Sequence, residues 1–196
     1  MPTTIPPLIH GNFYHVYNRG NNRESLFPQK RNYTYFMNLW WKYVSPIADT
    51  WAYCLLQNHF HSVVYIKDQA TDLIGLNTNK TKEPSRYFSN FFNAYTRGLN
   101  IAVQRTGALF ERPFKRIPVN NTSYLMQLIV YVHQNPQKHQ FTQDFREWNY
   151  SSYHEFTSDI STRLQRDRVL RLFGSKEDFI RIHQEIQPLP GVQDEY

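Results

Sequence analysis

The chain has 196 residues, a formal net charge of +6 and an aromatic content of 16%, which predicts one principal domain large enough to hold a core. Its single cysteine, Cys54, excludes an intrachain disulfide, and the first residues lack the apolar stretch of a signal peptide. No apolar run is long enough to span a membrane, so we expect a soluble protein of the cytoplasm.

The positive charge is unevenly distributed along the chain. Residues 1–140 contain 15 basic and 6 acidic residues, a balance of +9, whereas residues 141–196 contain 7 and 10, a balance of −3. A basic region rich in tyrosine and phenylalanine suits nucleic acid, because cations neutralise phosphates and aromatic rings stack on unpaired bases. A solvated basic surface over an aromatic core has the same composition, so composition leaves both interpretations open.

The order of the elements predicts the fold class. Periodicity and turn residues predict, in chain order, a strand ending near Tyr17, a helix over 31–44, strands over 49–57 and 59–66, a helix over 85–105, a strand over 108–119 and a helix over 121–136. This split βαβ layout predicts an α+β, ferredoxin-like (RRM-like) antiparallel sheet with its helices on one face. Residues 1–140 would form this domain, followed by a mostly helical extension over 141–196 that packs on the domain or trails it.

Glycine, proline and polar residues refine this layout at four places. Gly98 marks an end or a bend in the helix over 85–105, and Pro136 ends the last helix of the domain. Pro113 suits an edge strand or a bulge. The polar connector over 67–84 is long enough to be mobile or to cover a site.

The strand over 59–66 carries two histidines in an apolar sequence. Alternation puts His59 and His61 on one face, with Cα atoms roughly 6 to 7 Å apart, which suits two ligands of one metal ion. An isolated pair of this kind is more often two ordinary half-buried histidines. A metal site therefore requires a third group from another element.

The last helix of the domain offers such a group. Polar residues recur on one of its faces at steps of four and three: Asn120, Tyr124, Gln127, Tyr131 and Asn135. If this face packs over the histidines, the Asn135 oxygen joins His59 and His61 in a mixed ligand set that suits Mg²⁺ or Mn²⁺. Tyr131, one turn away, could then attack a phosphodiester. A polar stripe that faces solvent is the alternative interpretation.

Several motifs taken together resemble one family. They are NHFH at 58–61, YVHQNP at 131–136, FYHVYNRGNNRESLF at 13–27, GALFERPFKRIPV at 107–119 and WNYSSY at 148–153. Over roughly residues 9–155 the chain resembles the REP-associated tyrosine transposases, which are single-tyrosine members of the HUH endonuclease superfamily.

The resemblance implies an activity and a site. It implies that the histidine motif lies on a central strand, the tyrosine on a following helix, and that His59, His61 and Asn135 bind a divalent metal. It also implies that Tyr131 attacks single-stranded DNA, forms a 5′-phosphotyrosine and frees a 3′-OH. The family recognises DNA hairpins beside short single-stranded guide sequences, and its members act as monomers or homodimers.

Basic residues near these motifs are candidate DNA contacts. They are Arg112, Lys115 and Arg116, interleaved with Phe110 and Phe114 in the strand over 108–119, and Arg19 and Arg23 in the Gly/Asn turn after the first strand. An ordinary amphipathic edge strand is the alternative. His15, Tyr14 and His133 are further candidates to flank the site, although a packing or surface role is favoured for His133.

Three other functions compete with this one. A non-catalytic RRM-like binding module would carry a Lys/Arg-Gly-aromatic strand signature, which is missing here. A hydrolase with an H-x-H-x-D-H motif would need Asp and His where Val63 and Val64 stand. A transposase relative that its host keeps for DNA binding would have the same sequence features as a mobile-element enzyme.

Overall fold

The computed structural model describes residues 5–68 and 83–185 of the chain, so most of the predicted connector lies outside it. Four antiparallel strands form one sheet in the order β2-β3-β1-β4. The elements are β1 (Phe13–Arg19), α1 (Lys30–Tyr43), β2 (Ala48–Leu56), β3 (His59–Ile66), α2 (Pro84–Ala102), β4 (Lys115–Val119) and α3 (Thr122–Lys138). The predicted α+β class and the order of these elements are confirmed. Among the described helices, none is long and apolar enough to cross a membrane.

Helices α1 and α2 cover one face of the sheet with an aromatic core. Phe36 and Trp40, one turn apart on α1, meet Phe91 of α2 edge to face at ring centroid distances of 4.8 and 5.3 Å. Both α1 rings also contact Phe60 of β3, at 5.1 and 5.9 Å. These edge-to-face contacts add to the large apolar area that the rings bury.

Helix α2 continues through Gly98 to Ala102. A Cβ atom at residue 98 would lie 2.1 Å from the hydroxyl oxygen of Tyr35, so a larger residue would collide with the neighbouring helix. The glycine leaves room for the Tyr35 ring of α1. Of the end or bend predicted at Gly98, the end is wrong.

Helix α3 covers the opposite face of the sheet, so the prediction that all helices lie on one face is wrong. Val63 and Val64 point to opposite sides of β3, and both are fully buried. Val63 belongs to the same buried cluster as Leu128 and Val132 of α3. Because the central strand is buried on both sides, each side of the sheet is covered by a layer of helices.

Helix α3 is longer than predicted. It begins after Asn121, whose side-chain oxygen accepts a hydrogen bond from the Tyr124 backbone N at 2.8 Å. It then runs through Pro136 to Lys138, because a proline in the last turn removes only one backbone hydrogen bond. This additional turn brings His139 over the sheet.

Strand β4 is shorter than predicted. The predicted strand over 108–119 pairs with β1 only from Lys115 onward, apart from an isolated bridge between Phe110 and Gly20. Pro113 has no N–H to donate to a ladder. Residues 108–114 therefore form an irregular edge segment beside β1.

The described part of the C-terminal extension packs against α3. Its helices are α4 (Tyr153–Thr157), α5 (Arg166–Phe173) and α6 (Lys176–Glu185). Phe156, Val169 and Phe179 are fully buried in one cluster with Leu128 of α3. The domain boundary at residue 140 stays a prediction, and residues 186–196 lie outside the described part.

A buried relay of hydrogen bonds joins α3 to this extension. His183 Nδ1 donates to Phe179 O at 2.7 Å, so His183 Nε2 accepts from His133 Nδ1 at 2.8 Å. His133 Nε2 in turn accepts from Ser152 Oγ at 2.8 Å. Both imidazoles are neutral in this arrangement. His133 is thus a packing residue away from the predicted site, the role that its sequence position favours.

The relay predicts a loss of stability in acid. Burial lowers the pKa of His183 from 6.5 to about 4. Between these values the unfolded chain binds a proton that the folded chain does not, so lowering the pH reduces the free energy of unfolding, by about 3 kcal/mol for this residue. Urea unfolding at several pH values in this range measures how steeply the free energy of unfolding depends on pH. The variant His183→Phe should show a smaller slope. Equal slopes in the two proteins would contradict this role.

Candidate functional site

The strand register brings five polar residues onto one side of the sheet. Tyr17 of β1 lies opposite His61 of β3, and Arg19 lies opposite His59. His15, two residues before Tyr17, points to the same side. These five residues form what we call the histidine face. It is the face that α3 partly covers.

The two histidines of β3 are buried and close together. Their ring centroids are 5.3 Å apart with the planes at 89°, and the residues are 5% and 2% exposed. His59 Nδ1 donates to the amide oxygen of Asn58 at 2.7 Å. His59 therefore has its proton on Nδ1 and a lone pair on Nε2. A neutral imidazole binds a metal through such a nitrogen.

His15 forms a hydrogen-bonded pair with His61. His15 Nε2 and His61 Nδ1 are 2.9 Å apart, and the two rings stack at 5.1 Å. Burial holds the pKa of His61 well below its usual value, and the nearby imidazoles and the Lys138 ammonium lower it further. His61 is therefore a neutral imidazole at physiological pH, as a metal ligand has to be.

Helix α3 places residues at four-residue steps over the histidine face. The Tyr131 ring lies 5.6 Å from the His61 ring, and the His139 ring lies 5.0 Å from the His59 ring. Asn135 is midway between Tyr131 and His139 on the same side of the helix. Sequence reasoning missed His139, although its spacing of four from Asn135 continues the predicted stripe.

Asn135 carries a buried oxygen without a hydrogen-bond partner. The residue is fully buried, Nδ2 lies 3.5 Å from Tyr131 O, and Oδ1 has no partner in the described structure. Buried polar atoms in proteins nearly always have a hydrogen-bond partner, and a bound ion is a common explanation for an atom that lacks one. Within residues 5–68 and 83–185, no group of three His, Cys, Asp or Glu side chains is arranged to hold a metal. A metal here would need the Asn135 oxygen beside His59 and His61.

Two tyrosines border the site. Tyr131 is 1% exposed, and Lys138 Nζ lies 4.9 Å from its ring centroid, so a bulky ligand reaches this hydroxyl only when α3 or its neighbours shift. Tyr17 is half-buried and stacks on His15 at 4.7 Å and on His61 at 5.5 Å. Sequence reasoning did not single out Tyr17, although it shares the alternation of His15 along β1.

A cleft of about 270 Å³ opens beside His59, and we call it the histidine cleft. It is lined by Arg19, Arg23, Asn58, His59, His139 and Phe141. Arg19 is held by an ion pair with Glu111 at 2.5 Å, and Arg23 is exposed at the turn after β1. Two guanidinium groups beside a histidine suit a phosphate in this cleft.

The other three predicted DNA contacts, Lys115, Arg116 and Arg112, lie outside the histidine cleft. Lys115 is exposed and lies opposite Tyr17 in the register, beside the histidine face. Arg116, the next residue on β4, points to the other side of the sheet, and Arg112 is exposed in the edge segment. Tyr14 also points away from the histidine face, toward the α1 and α2 side. The five predicted cations therefore divide between two sides of the sheet.

Comparison with solved structures finds the same architecture elsewhere. A REP-associated tyrosine transposase bound to a REP hairpin matches with a TM-score of 0.60, over 81% of this chain and 87% of that chain. The chain shares the fold of this transposase. At 16% sequence identity the likeness is one of fold. No family model matches the sequence, and no curated protein matches it.

Proposed function

We propose that the protein is a metal-dependent single-strand DNA endonuclease and strand transferase of the REP-associated tyrosine transposase type, acting on hairpin DNA. The observation that carries the proposal is the contact of Tyr131 on α3 with His61, and of His139, the residue after α3, with His59; Asn135 lies between Tyr131 and His139 in the sequence. The neighbour of the same fold is a transposase bound to a REP hairpin, which supports DNA as the partner.

His59, His61 and Asn135 are the proposed ligands of Mg²⁺ or Mn²⁺. His59 offers Nε2, because its Nδ1 is bonded to Asn58, and His61 offers Nε2 when its Nδ1 proton is donated to His15. Asn135 offers its buried oxygen. A bound divalent ion would polarise the scissile phosphate and offset its charge. Nitrogen and oxygen donors of this kind suit these ions, although the set lacks a carboxylate.

Tyr131 supplies the proposed nucleophile. Its Oη attacks the phosphorus, the bond to O3′ of the preceding nucleotide breaks, and the products are a 5′-phosphotyrosine and a free 3′-OH. The phenol proton passes to solvent, and O3′ takes up a proton as it leaves. Because one phosphodiester is exchanged for another, a second 3′-OH can reverse the step and join strands without an external energy source.

The proposal is tested by incubating the wild-type protein with single-stranded DNA that contains an inverted repeat from the region flanking the gene. In Mg²⁺ or Mn²⁺, a label on the 3′ side of the cut should migrate with the protein in denaturing electrophoresis, because the link is covalent. Chelating the metal should remove this adduct. Cleavage without any adduct would identify water as the nucleophile, and the proposal would then fail.

DNA binding without chemistry is a second candidate function. The burial of Tyr131 favours it, because this hydroxyl is closed off from a phosphate in the structure described. A protein of this kind would bind the hairpin in a salt-sensitive manner and give neither cut DNA nor adduct in the same assay. A transposase relative that the host has kept, and whose nuclease site is intact, would instead give the adduct.

A further inference from the structure

The turn after β1 holds two successive residues in the left-handed region of backbone conformation. Asn22 has φ 53° and ψ 27°, and Arg23 has φ 60°. Glycine adopts this conformation without cost and asparagine tolerates it, but an arginine there is strained, because its Cβ lies too close to the backbone. Strain of this kind persists only where neighbouring contacts hold the chain, and it is most common at functional sites. Arg23 lines the histidine cleft, so the strained residue is also a predicted phosphate contact.

The beginning of this turn is fixed by two other loops. The Gly20 N–H donates to Asn58 O at 2.9 Å, and the Asn21 N–H donates to Leu109 O at 2.8 Å. The side-chain Nδ2 of Asn21 donates to Ala108 O at 2.9 Å. These bonds fix the chain where it enters the strained residues.

Arg105, in the loop after α2, fixes the end of the turn. Its Nε donates to Glu24 Oε2 at 2.7 Å, and its Nη2 lies 2.6 Å from the same oxygen. Nη1 donates to Asn100 Oδ1 at 3.0 Å and to Gly107 O at 3.2 Å, and Nη2 donates to Ala108 O at 2.8 Å. Every nitrogen atom of this guanidinium therefore has a partner within the protein, and Arg105 joins the turn to α2 and to the start of the edge segment.

The same ion pair neutralises a carboxylate beside the predicted phosphate contact. Glu24 follows Arg23 directly in the chain, and its side chain is 42% exposed. An unpaired carboxylate at this place would repel a phosphate bound by Arg23. Arg105 offsets that charge and uses its own nitrogen atoms within the protein, so the two arginines have different roles.

A lysine could not replace Arg105 in this arrangement. The planar guanidinium reaches the Glu24 carboxylate and the Asn100 oxygen at once, whereas an ammonium is a point charge with three donors. Arg105→Lys therefore keeps the net charge of the protein but breaks part of the network. The substitution separates the effect of position from the effect of charge.

We propose that Arg105 is a positioning residue for DNA binding: it holds the strained turn so that the Arg23 guanidinium stays in the histidine cleft, where it binds a phosphate of the DNA backbone. This inference rests on the proposed function, since it names the residue that sets one phosphate contact of the same site. Arg105 and Glu24 are 81 positions apart in the sequence, so spacing within one element could not indicate this role.

A double-mutant cycle tests the proposal, with the hairpin DNA of the adduct assay as the probe and a chelator present so that no cleavage occurs. Arg23→Ala should weaken binding by about tenfold and lower the slope of log affinity against log salt by about one unit, because one phosphate contact is lost. Arg105→Lys should give the same two changes, although the net charge is unaltered. The double variant should bind about as weakly as either single variant, because both substitutions remove the same contact. The control is Arg181→Lys, which alters an exposed arginine paired with Asp178 and Glu185 on α6 and should bind as wild type.

Hydrogen exchange of the free protein provides a readout that does not depend on DNA. The Arg23 N–H donates to Gly20 O at 3.1 Å and the Glu24 N–H donates to Asn21 O at 2.9 Å, so both amides report on the turn. In Arg105→Lys their exchange should quicken by about tenfold, while exchange in the sheet stays at the wild-type rate. A loss of overall stability would instead quicken exchange throughout the domain.

The outcomes separate this inference from the proposed function. If wild type forms the covalent adduct and the losses of Arg23→Ala and Arg105→Lys multiply in the double variant, Arg105 acts independently of Arg23, so the inference fails and the proposed function stands. Unchanged exchange at the turn in Arg105→Lys would also overturn it. If wild type binds no hairpin, the proposed function fails, and faster exchange at the turn would then make Arg105 a residue of the scaffold without a role in DNA binding.

A second variant replaces Arg105→Lys in the cycle if that protein is unfolded at the assay temperature. Asn100→Ala removes one anchor of the guanidinium and leaves Arg105 in place. The same non-additive pattern with Arg23→Ala is expected, with a smaller loss for the single variant. Additive losses in this cycle would count against the inference in the same way.

Discussion

Tyr131→Phe should abolish the covalent protein–DNA adduct and lower cleavage by a factor of about 10³ or more, while hairpin binding stays close to that of wild type. The substitution removes only the hydroxyl. The ring that packs against His61 at 5.6 Å and His15 at 6.1 Å is retained, so the helix should keep its place on the sheet. Denaturing electrophoresis with DNA labelled on the 3′ side of the cut measures the adduct, and fluorescence anisotropy measures binding.

Two other phenols provide matched controls for this variant. Tyr17 stacks on the same histidines and is the more accessible of the two site tyrosines, so Tyr17→Phe tests whether the nearer hydroxyl is the one that attacks. Tyr124 lies eleven residues before Asn135 on α3, roughly 16 Å along the axis, and is too far from the proposed metal ligands to replace Tyr131. An adduct that survives Tyr131→Phe and disappears in Tyr17→Phe would move the nucleophile to β1.

Period-two alternation was enough to predict the shared face of His59 and His61. The register now confirms it, because His59 and His61 lie opposite Arg19 and Tyr17 of β1. The four-residue step from Tyr131 to Asn135 likewise predicted one helix side, and Tyr131 on that side contacts the His61 ring at 5.6 Å. Both predictions rest on local geometry, which sequence spacing fixes without knowledge of the rest of the chain.

The parts of the site that sequence missed depend on long-range packing. His139 was overlooked because Pro136 predicted the end of the helix, whereas the fold tolerates proline in the last turn. The hydrogen bond between His15 and His61 depends on which strands are neighbours in the sheet. The second helix layer packs against apolar residues of the C-terminal extension such as Phe156, Val169 and Phe179, which lie beyond the last quoted motif. None of these follows from the spacing of residues within one element.

The metal requirement should be lost when the two histidines of β3 are removed. His59→Ala/His61→Ala should lower Mg²⁺- or Mn²⁺-dependent cleavage by a factor of about 10² or more and abolish binding of Mn²⁺ in calorimetric titration. Hairpin binding in a chelator should change little, because the predicted phosphate contacts are arginines and a lysine. Asn135→Ala should give a weaker defect in Mn²⁺ binding, since an amide oxygen is a weaker ligand than an imidazole for this set.

Deleting buried side chains can also unfold a protein, so the histidine variant needs two checks. The first is its thermal unfolding temperature, which should stay above that of the assay. The second is a matched control, His10→Ala, which removes an exposed imidazole bonded to Lys67 O and should keep wild-type cleavage and Mn²⁺ affinity. If the folded double variant still cleaves hairpin DNA at the wild-type rate, the histidines are not ligands and the phosphate is activated elsewhere. If it loses Mn²⁺ affinity and cleavage together while still binding the hairpin, then His59 and His61 act through the metal, because loss of the DNA surface would have removed binding as well.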